Sequence, residues 1–335
     1  MRLHIDKANL INIFREDEHY LQKDVIKTMK LNLDVQFNFS KQEIGADEFL
    51  SMQMLQFTEG IGEDVDHFYE EENYVPYLID SDVHKSHPNK QSLFLLDNPA
   101  EVIQECKLNG GLLIQGLGEE FDLFEKLFLF RKDAGFHKGL KIGSDHLKSW
   151  PCLSPYALPF TDLILIDNYI ANDSSILDSN LIDLLKNLHL NKSIETNIVI
   201  FTDKTKQAIS IDNLRSKIIK AIKKVTGKCP KVTIVLWKES KDRKHIDYGN
   251  QYTEHDRTIL LNYVRFKSGD SFNYFNSSGV KITLGRELDI FSLANRDNFI
   301  LAKDIINDLN KYIAWAKEKN SENIQGDKKS NFLKF

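Results

Sequence analysis

Two hydrophobic periods alternate along this chain. Short runs that alternate apolar with polar residues, or that are apolar throughout, read as strands; stretches with apolar residues three and four apart read as helices. Leu3–Ile5 is a short strand running into the helix KANLINIF, with Asp6 at the junction as cap or strand-end carboxylate. Leu33–Phe39 alternates as a half-buried strand does. Asp47–Thr58 has helical spacing at Phe49, Met52, Leu55 and Phe57, and Glu59–His87 is acidic and loop-like. A strand–helix–strand unit follows: Ser92–Leu96, then Pro99–Leu108 with proline in its first turn, then Gly111–Gln115. Glu120–Lys132 is a strongly apolar helix. Asp133–Leu158 keeps no period and carries glycines and prolines, which places a domain boundary there.

Beyond that boundary the alternation is more regular. Asp162–Ile166, Asn197–Phe201 and Lys231–Trp237 are strands, separated by helices at Ser179–Leu188 and Asp212–Thr226. Asp212 is a candidate cap, and Gly227 ends the second helix as glycines at that position do. Thr258–Phe266 and Val280–Leu284 add strands. Arg296–Ala316 is a long amphipathic helix with Ile300, Ile305, Ile306, Leu309, Ile313 and Ala316 on its buried stripe. Apolar strands joined by helices imply a parallel sheet with right-handed crossovers, covered on both faces. The fold class expected is therefore α/β, as two α/β domains: residues 1–150, of unrecognised type, and residues 159–317. Residues 318–335 are polar and expected to be a disordered tail, with Phe332-Leu333 as a frayed terminus or a docking motif.

Composition is that of a soluble globular protein, with 41% apolar and 28% charged residues. There is no apolar run of signal-peptide or membrane-span length, and the three cysteines (Cys106, Cys152, Cys229) have no ligand-like spacing. An intracellular, cytoplasmic setting without disulfides or structural zinc is expected. Charge changes the picture more. Residues up to Phe160 hold 16 Lys and Arg against 27 Asp and Glu, and those from Thr161 onward hold 28 against 22. An acidic half joined to a basic half points to different partners, or to two halves that dock. The richest basic stretch, Asp203–Asn250, has 13 Lys and Arg against 5 acids; solvated helix faces explain that equally well.

Candidate chemistry gathers in Thr253–Phe291. Strand periodicity puts His255 and Arg257 on one face, and a histidine beside a guanidinium can hold a phosphate group. Lys267 in its Lys-Ser-Gly-Asp turn and Arg286 in Gly-Arg-Glu-Leu-Asp can extend such a site, or can sit in water and pair with Asp289. The basic helix Asn213–Lys224 would give sequence-independent contacts to a nucleic-acid backbone, and has no interleaved aromatics for base stacking. No metal is expected at His67, His84 and His87, and no cofactor is called for. A separate reading gathers Asp6, Asp97, Glu101 and Asp122 around a divalent metal, as in PIN-like nucleases, although helix capping accounts for the same positions.

The strand end Ile166-Asp167-Asn168-Tyr169-Ile170, two helix–strand units, His255-Asp256-Arg257 and Gly285–Phe291 together resemble the phospholipase D-like domain at the C-terminus of MIT-domain proteins, over about Thr161–Trp315. The resemblance implies a mixed sheet flanked by helices. The family pattern has proline where Asn168 stands and glycine where Glu287 stands. Laid on the wider superfamily's His-x-Lys-x4-Asp, His255 matches the attacking histidine, Arg257 replaces the lysine and Asn262 the aspartate. What that implies is a site that still holds a phosphodiester, with weakened means to cut it. The superfamily needs two histidine motifs, so His255 and Arg257 as catalytic residues would require a homodimer. The expectation is an intracellular phosphodiester-binding protein, with nucleic acid favoured over a membrane surface and a genome-defence setting suggested by analogy. The alternatives are a nuclease or phosphodiesterase, and a protein-interaction module with a partner on the acidic N-terminal half.

Overall fold

The computed structural model describes residues 1–15, 29–59, 68–74, 91–96, 113–116, 136–190, 194–237 and 257–335. The first described unit is a parallel sheet. Strands β1 (Arg2–Ile5), β2 (Asp34–Phe37), β3 (Leu93–Leu96) and β4 (Leu113–Gly116) lie in the order β2-β1-β3-β4. Helix α1 (Lys7–Arg15) follows β1, and α2 (Lys41–Ala46) and α3 (Glu48–Thr58) follow β2. Asp6 is the cap of α1: its Oδ1 accepts from Asn9 N at 2.8 Å and from Asn9 Nδ2 at 2.9 Å. Asp47 caps α3 in the same way, through Leu50 N. The buried face of α3 is Leu50, Gln53, Met54, Phe57 and Thr58. Phe49, Met52 and Leu55, expected on the same stripe as Phe57, are on its exposed side.

The second unit is a larger mixed sheet. It uses β5 (His137–Lys141), β6 (Asp162–Ile166), β7 (Asn197–Asp203), β8 (Lys231–Trp237), β9 (Arg257–Leu260), β10 (Val264–Ser268), β11 (Glu287–Ser292) and β12 (Ile324–Gly326), in the order β12-β8-β7-β6-β9-β10-β11-β5. β6, β7 and β8 are parallel, and every other pairing in the sheet is antiparallel. A π-helical turn, Asp178–Ile182, leads into α4 (Asp183–Leu188); α5 (Ile211–Thr226) and α6 (Arg296–Lys319) complete the unit. Leu214, Ile218 and Ile222 bury one face of α5, which is capped by Ser210 rather than Asp212 and stopped by Gly227 at φ 72°. α6 lies across the β8 end of the sheet, where the Tyr312 hydroxyl donates to Leu236 O and its ring meets Trp237 edge-on. The two units touch through buried polar contacts: Gln91 Nε2 donates to Asn262 O and the Tyr263 hydroxyl to Ser92 O. Among the described residues no helix is long and apolar enough to cross a membrane.

The α/β expectation holds, and several details of it are corrected. β5 belongs to the second sheet, so that sheet recruits a strand from before residue 150. Thr258–Phe266 is two antiparallel strands, not one: the chain reverses where Leu261 N donates to Val264 O. Val280–Leu284 makes only an isolated bridge, Lys281 to Phe275, and leaves Val280, Ile282 and Leu284 exposed. Ile300 is also exposed rather than buried. The expected helices Pro99–Leu108 and Glu120–Lys132 lie outside the described residues, as does Cys106.

The expected disordered tail is ordered. After α6 the chain adds β12 to the edge of β8, and Leu333 and Ile324 are buried. The physical reason is Asp162, wholly buried at the amino end of β6. Its Oδ1 accepts from Ser330 Oγ and Asn331 N, both at 2.7 Å, and its Oδ2 accepts from Asn331 Nδ2 at 2.5 Å. A buried carboxylate must be met by donors, and the polar tail supplies them.

Candidate functional site

The carboxyl end of β6 is where an α/β sheet of this kind presents ligands. Asp167 follows that strand and is 1% exposed. Its Oδ1 accepts from Tyr169 N at 2.9 Å; its Oδ2 accepts from Ser271 Oγ and Phe272 N, both at 2.8 Å. The carboxylate thus ties the strand end to the loop after β10. Burial pushes Asp167 up to about 6, against the opposing pull of those hydrogen bonds and of the Arg257 guanidinium. Register explains the last contribution. Ile166 pairs with Thr258, so one step along the antiparallel ladder Asp167 and Arg257 stand side by side on one face.

Arg257 is 8% exposed and its guanidinium carbon lies 5.6 Å from the centroid of the Tyr169 ring. Lys206 Nζ lies 5.3 Å from the same ring. Lys206 sits in the turn after β7, held by Lys206 N donating to Asp203 O, while Asp203 Oδ1 accepts from Thr205. Because β6 and β7 are parallel neighbours, the loops at their carboxyl ends are adjacent, and this is how two cations converge on one tyrosine. Arg257 and Tyr169 border a cavity of about 470 Å³ lined also by Asp270, Ser271, Asn273 and Thr283, with Ile176, Ile282 and Leu284; Lys206 reaches the Tyr169 ring from outside that lining. The acids at the cavity are occupied. Asp270 accepts from Thr283 Oγ1 and Ser271 N, and the exposed Asp173, also on the lining, accepts from Ser175 N and Oγ, which hold it below its ordinary value. Asn273 Nδ2 donates to Tyr169 O at 2.8 Å and braces the rim. A guanidinium with amide and hydroxyl groups around an open cavity, and an ammonium on the neighbouring tyrosine ring, can receive an anion.

The structure separates the other residues singled out from sequence. Lys267 is not beside Arg257: it pairs with Thr258, one position on, so the pleat turns it to the opposite face of the sheet, level with Asp289. On that face His137 Nε2 is 2.8 Å from Asp289 Oδ1. Arg286 is exposed and makes no ion pair among the described residues; it precedes Leu288, which stands level with Arg257 across β10. It therefore belongs to the same side of the sheet, away from the cavity lining. Asn262, the residue at the superfamily's aspartate position, lies at the far end of β6. Its Oδ1 accepts from Thr161 N and Asp162 N, so it is a brace between strands and touches nothing at the cavity. Asn168 has a local reason to depart from proline: its Oδ1 accepts from Trp237 Nε1 at 2.6 Å.

His255, Asp97, Glu101 and Asp122 lie outside the described residues, as do His67, His84 and His87. Asp6 is taken up by its helix. Among the described residues no group of three or more His, Cys, Asp or Glu is placed to hold a metal ion. Sequence reasoning missed Lys206 and Tyr169 as site residues. The signal available was positional: both follow sheet strands at the carboxyl edge. Comparison with protein-family models and with curated proteins found no match to this chain.

Proposed function

We propose that this protein binds a phosphodiester at the Arg257 cavity, and that its partner is a nucleic acid. The single observation that carries the reading is the convergence of Arg257 and Lys206 on Tyr169, at a cavity on the carboxyl edge of the sheet that Arg257 and Tyr169 line. His255 precedes Arg257 by two residues, the spacing of the phospholipase D-like motif that the second unit resembles. The exposed lysines of α5 and its C-terminal turn, Lys220, Lys223, Lys224 and Lys228, offer further contacts to a polyanion. Of the expected set, Lys267 and Arg286 are withdrawn from the site, and Lys206, on the Tyr169 ring beside it, is added. Cleavage is not part of this reading.

The test is binding of a single-stranded oligonucleotide across a salt series, with wild type, Arg257→Ala and His255→Ala. A steep loss of affinity with salt, flattened in Arg257→Ala by about 0.7 in the log–log slope, supports it. Affinity that ignores salt and both substitutions refutes it. A second reading has its own observation. The exposed Val280, Ile282 and Leu284, the last two on the cavity lining itself, are an apolar stripe of the kind protein partners cover. Salt-insensitive capture of a protein partner, lost on Leu284→Ser, would favour that module over the phosphodiester reading.

A further inference from the structure

Another cavity, of about 680 Å³, lies between the two units and has no part in the site above. One wall is the segment entering β2, from Lys30 to Asp34, with Phe68 behind it; the other is the first turns of α6, with Arg296, Phe299 and Ile300. The walls are joined by Asn32, whose Oδ1 accepts from Asn295 Nδ2 and from Arg296 N, both at 3.3 Å. Its volume is in the range that encloses a small organic ligand.

The lining is apolar where it is open, and its polar side chains are two cations, Lys30 and Arg296, the amide of Asn32 and one acid, Asp34. Leu31 and Ile300 are 55% and 50% exposed and both line the cavity, so their apolar surface faces a space that a ligand would fill. Arg296 is exposed and makes no ion pair among the described residues. Lys30 Nζ donates to Gln56 O and Glu59 O, and Lys303 Nζ stands 5.1 Å from the ring of Phe299. Burial lowers both ammonium groups, that of Lys30 against the opposing pull of Glu59. The acid on the lining, Asp34, is engaged by Arg2 Nε at 3.0 Å. Arg296 also begins α6, so the positive end of a 24-residue helix points the same way.

We propose that this inter-unit cavity binds a small organic anion with an apolar body, the body lying on Leu31, Phe299 and Ile300 and the anionic group meeting Arg296 and Lys30. Such a ligand touches both units at once and fastens them together. The probe is 1-anilinonaphthalene-8-sulfonate, a permanent anion on an aromatic body, titrated into the full chain and read by fluorescence and calorimetry. Saturable binding at one site per chain is expected. Arg296→Ser and Ile300→Ser replace exposed side chains, so the fold is retained, and each is expected to weaken binding by about fivefold or more. Arg257→Ala is expected to leave it unchanged. Loss of binding in Arg257→Ala, or no change in both Arg296→Ser and Ile300→Ser, overturns the proposal. The uncharged N-phenyl-1-naphthylamine should bind more weakly than the sulfonate; equal binding that ignores Arg296→Ser overturns the requirement for an anion. Displacement by decanoate assigns an aliphatic body and displacement by 1-naphthyl phosphate an aromatic one; displacement by neither counts against the site.

Discussion

Replacing Asp167 with Asn is expected to flatten the dependence of stability on pH. The folded carboxyl titrates near 6, against an ordinary 3.8, because burial disfavours its charge. Between those two values the folded chain keeps a proton that the unfolded chain has released. Fewer protons on the unfolded state mean that stability falls as pH rises through this window, then stays level above about 6. The whole interval corresponds to about 3 kcal/mol at about 1.4 kcal/mol per pH unit. Asn removes the charge but turns its amide toward one of the three donors that Asp167 satisfies, a cost of about 1–3 kcal/mol. The absolute stabilities at neutral pH can therefore be close, and the slope is the decisive quantity. Urea denaturation followed by the fluorescence of the buried tryptophans, between about pH 4.5 and about pH 7.5, should show the wild-type minus variant difference shifting by about 2 kcal/mol against the wild type. A difference constant within about 0.5 kcal/mol would refute the reasoning. The same proton acts on the cavity: below about pH 6 Arg257 loses a negative neighbour, so a phosphodiester, whose own charge is constant there, should bind several-fold more tightly in wild type and not in the variant.

Other expectations follow from the same geometry. Lys206→Ala should weaken oligonucleotide binding and lower the salt slope by about 0.7, with no loss of thermal stability, as checked by binding isotherms at several salt concentrations. Gly326→Ala should destabilise by more than about 2 kcal/mol in chemical denaturation, since its φ is 107° and an added Cβ would collide with Val232 O. Leu333→Ala should cost about 2–3 kcal/mol, where a change in a disordered tail would cost nothing measurable.

Much of the fold is legible in the residues because the strands of the second sheet are apolar on both faces. Leu163, Ile164, Leu165 and their neighbours in β7 and β8 can be little else. What hid from sequence were the places where a polar side chain decides. Asn262 braces β6 against the β9–β10 turn and so splits what reads as one long strand. Asp162 holds a tail whose composition alone says disorder. For the site, period-two reasoning put Arg257 on a strand face, but it could not set the register that turns Lys267 to the other side. Nor does a lysine in a turn, such as Lys206, carry any mark until the order of strands brings two loops together.

The tail has a consequence for how this chain is made. Synthesis runs from the amino end, so β6, β8 and α6 all exist before residues 324–333 emerge to join them. Until then the nascent sheet has an unpaired edge along Lys231–Trp237 and a buried acid lacking its donors, both costly and the first adhesive. A message truncated just after α6 would thus yield nearly every residue of the core and still yield a chain prone to pair with its neighbours.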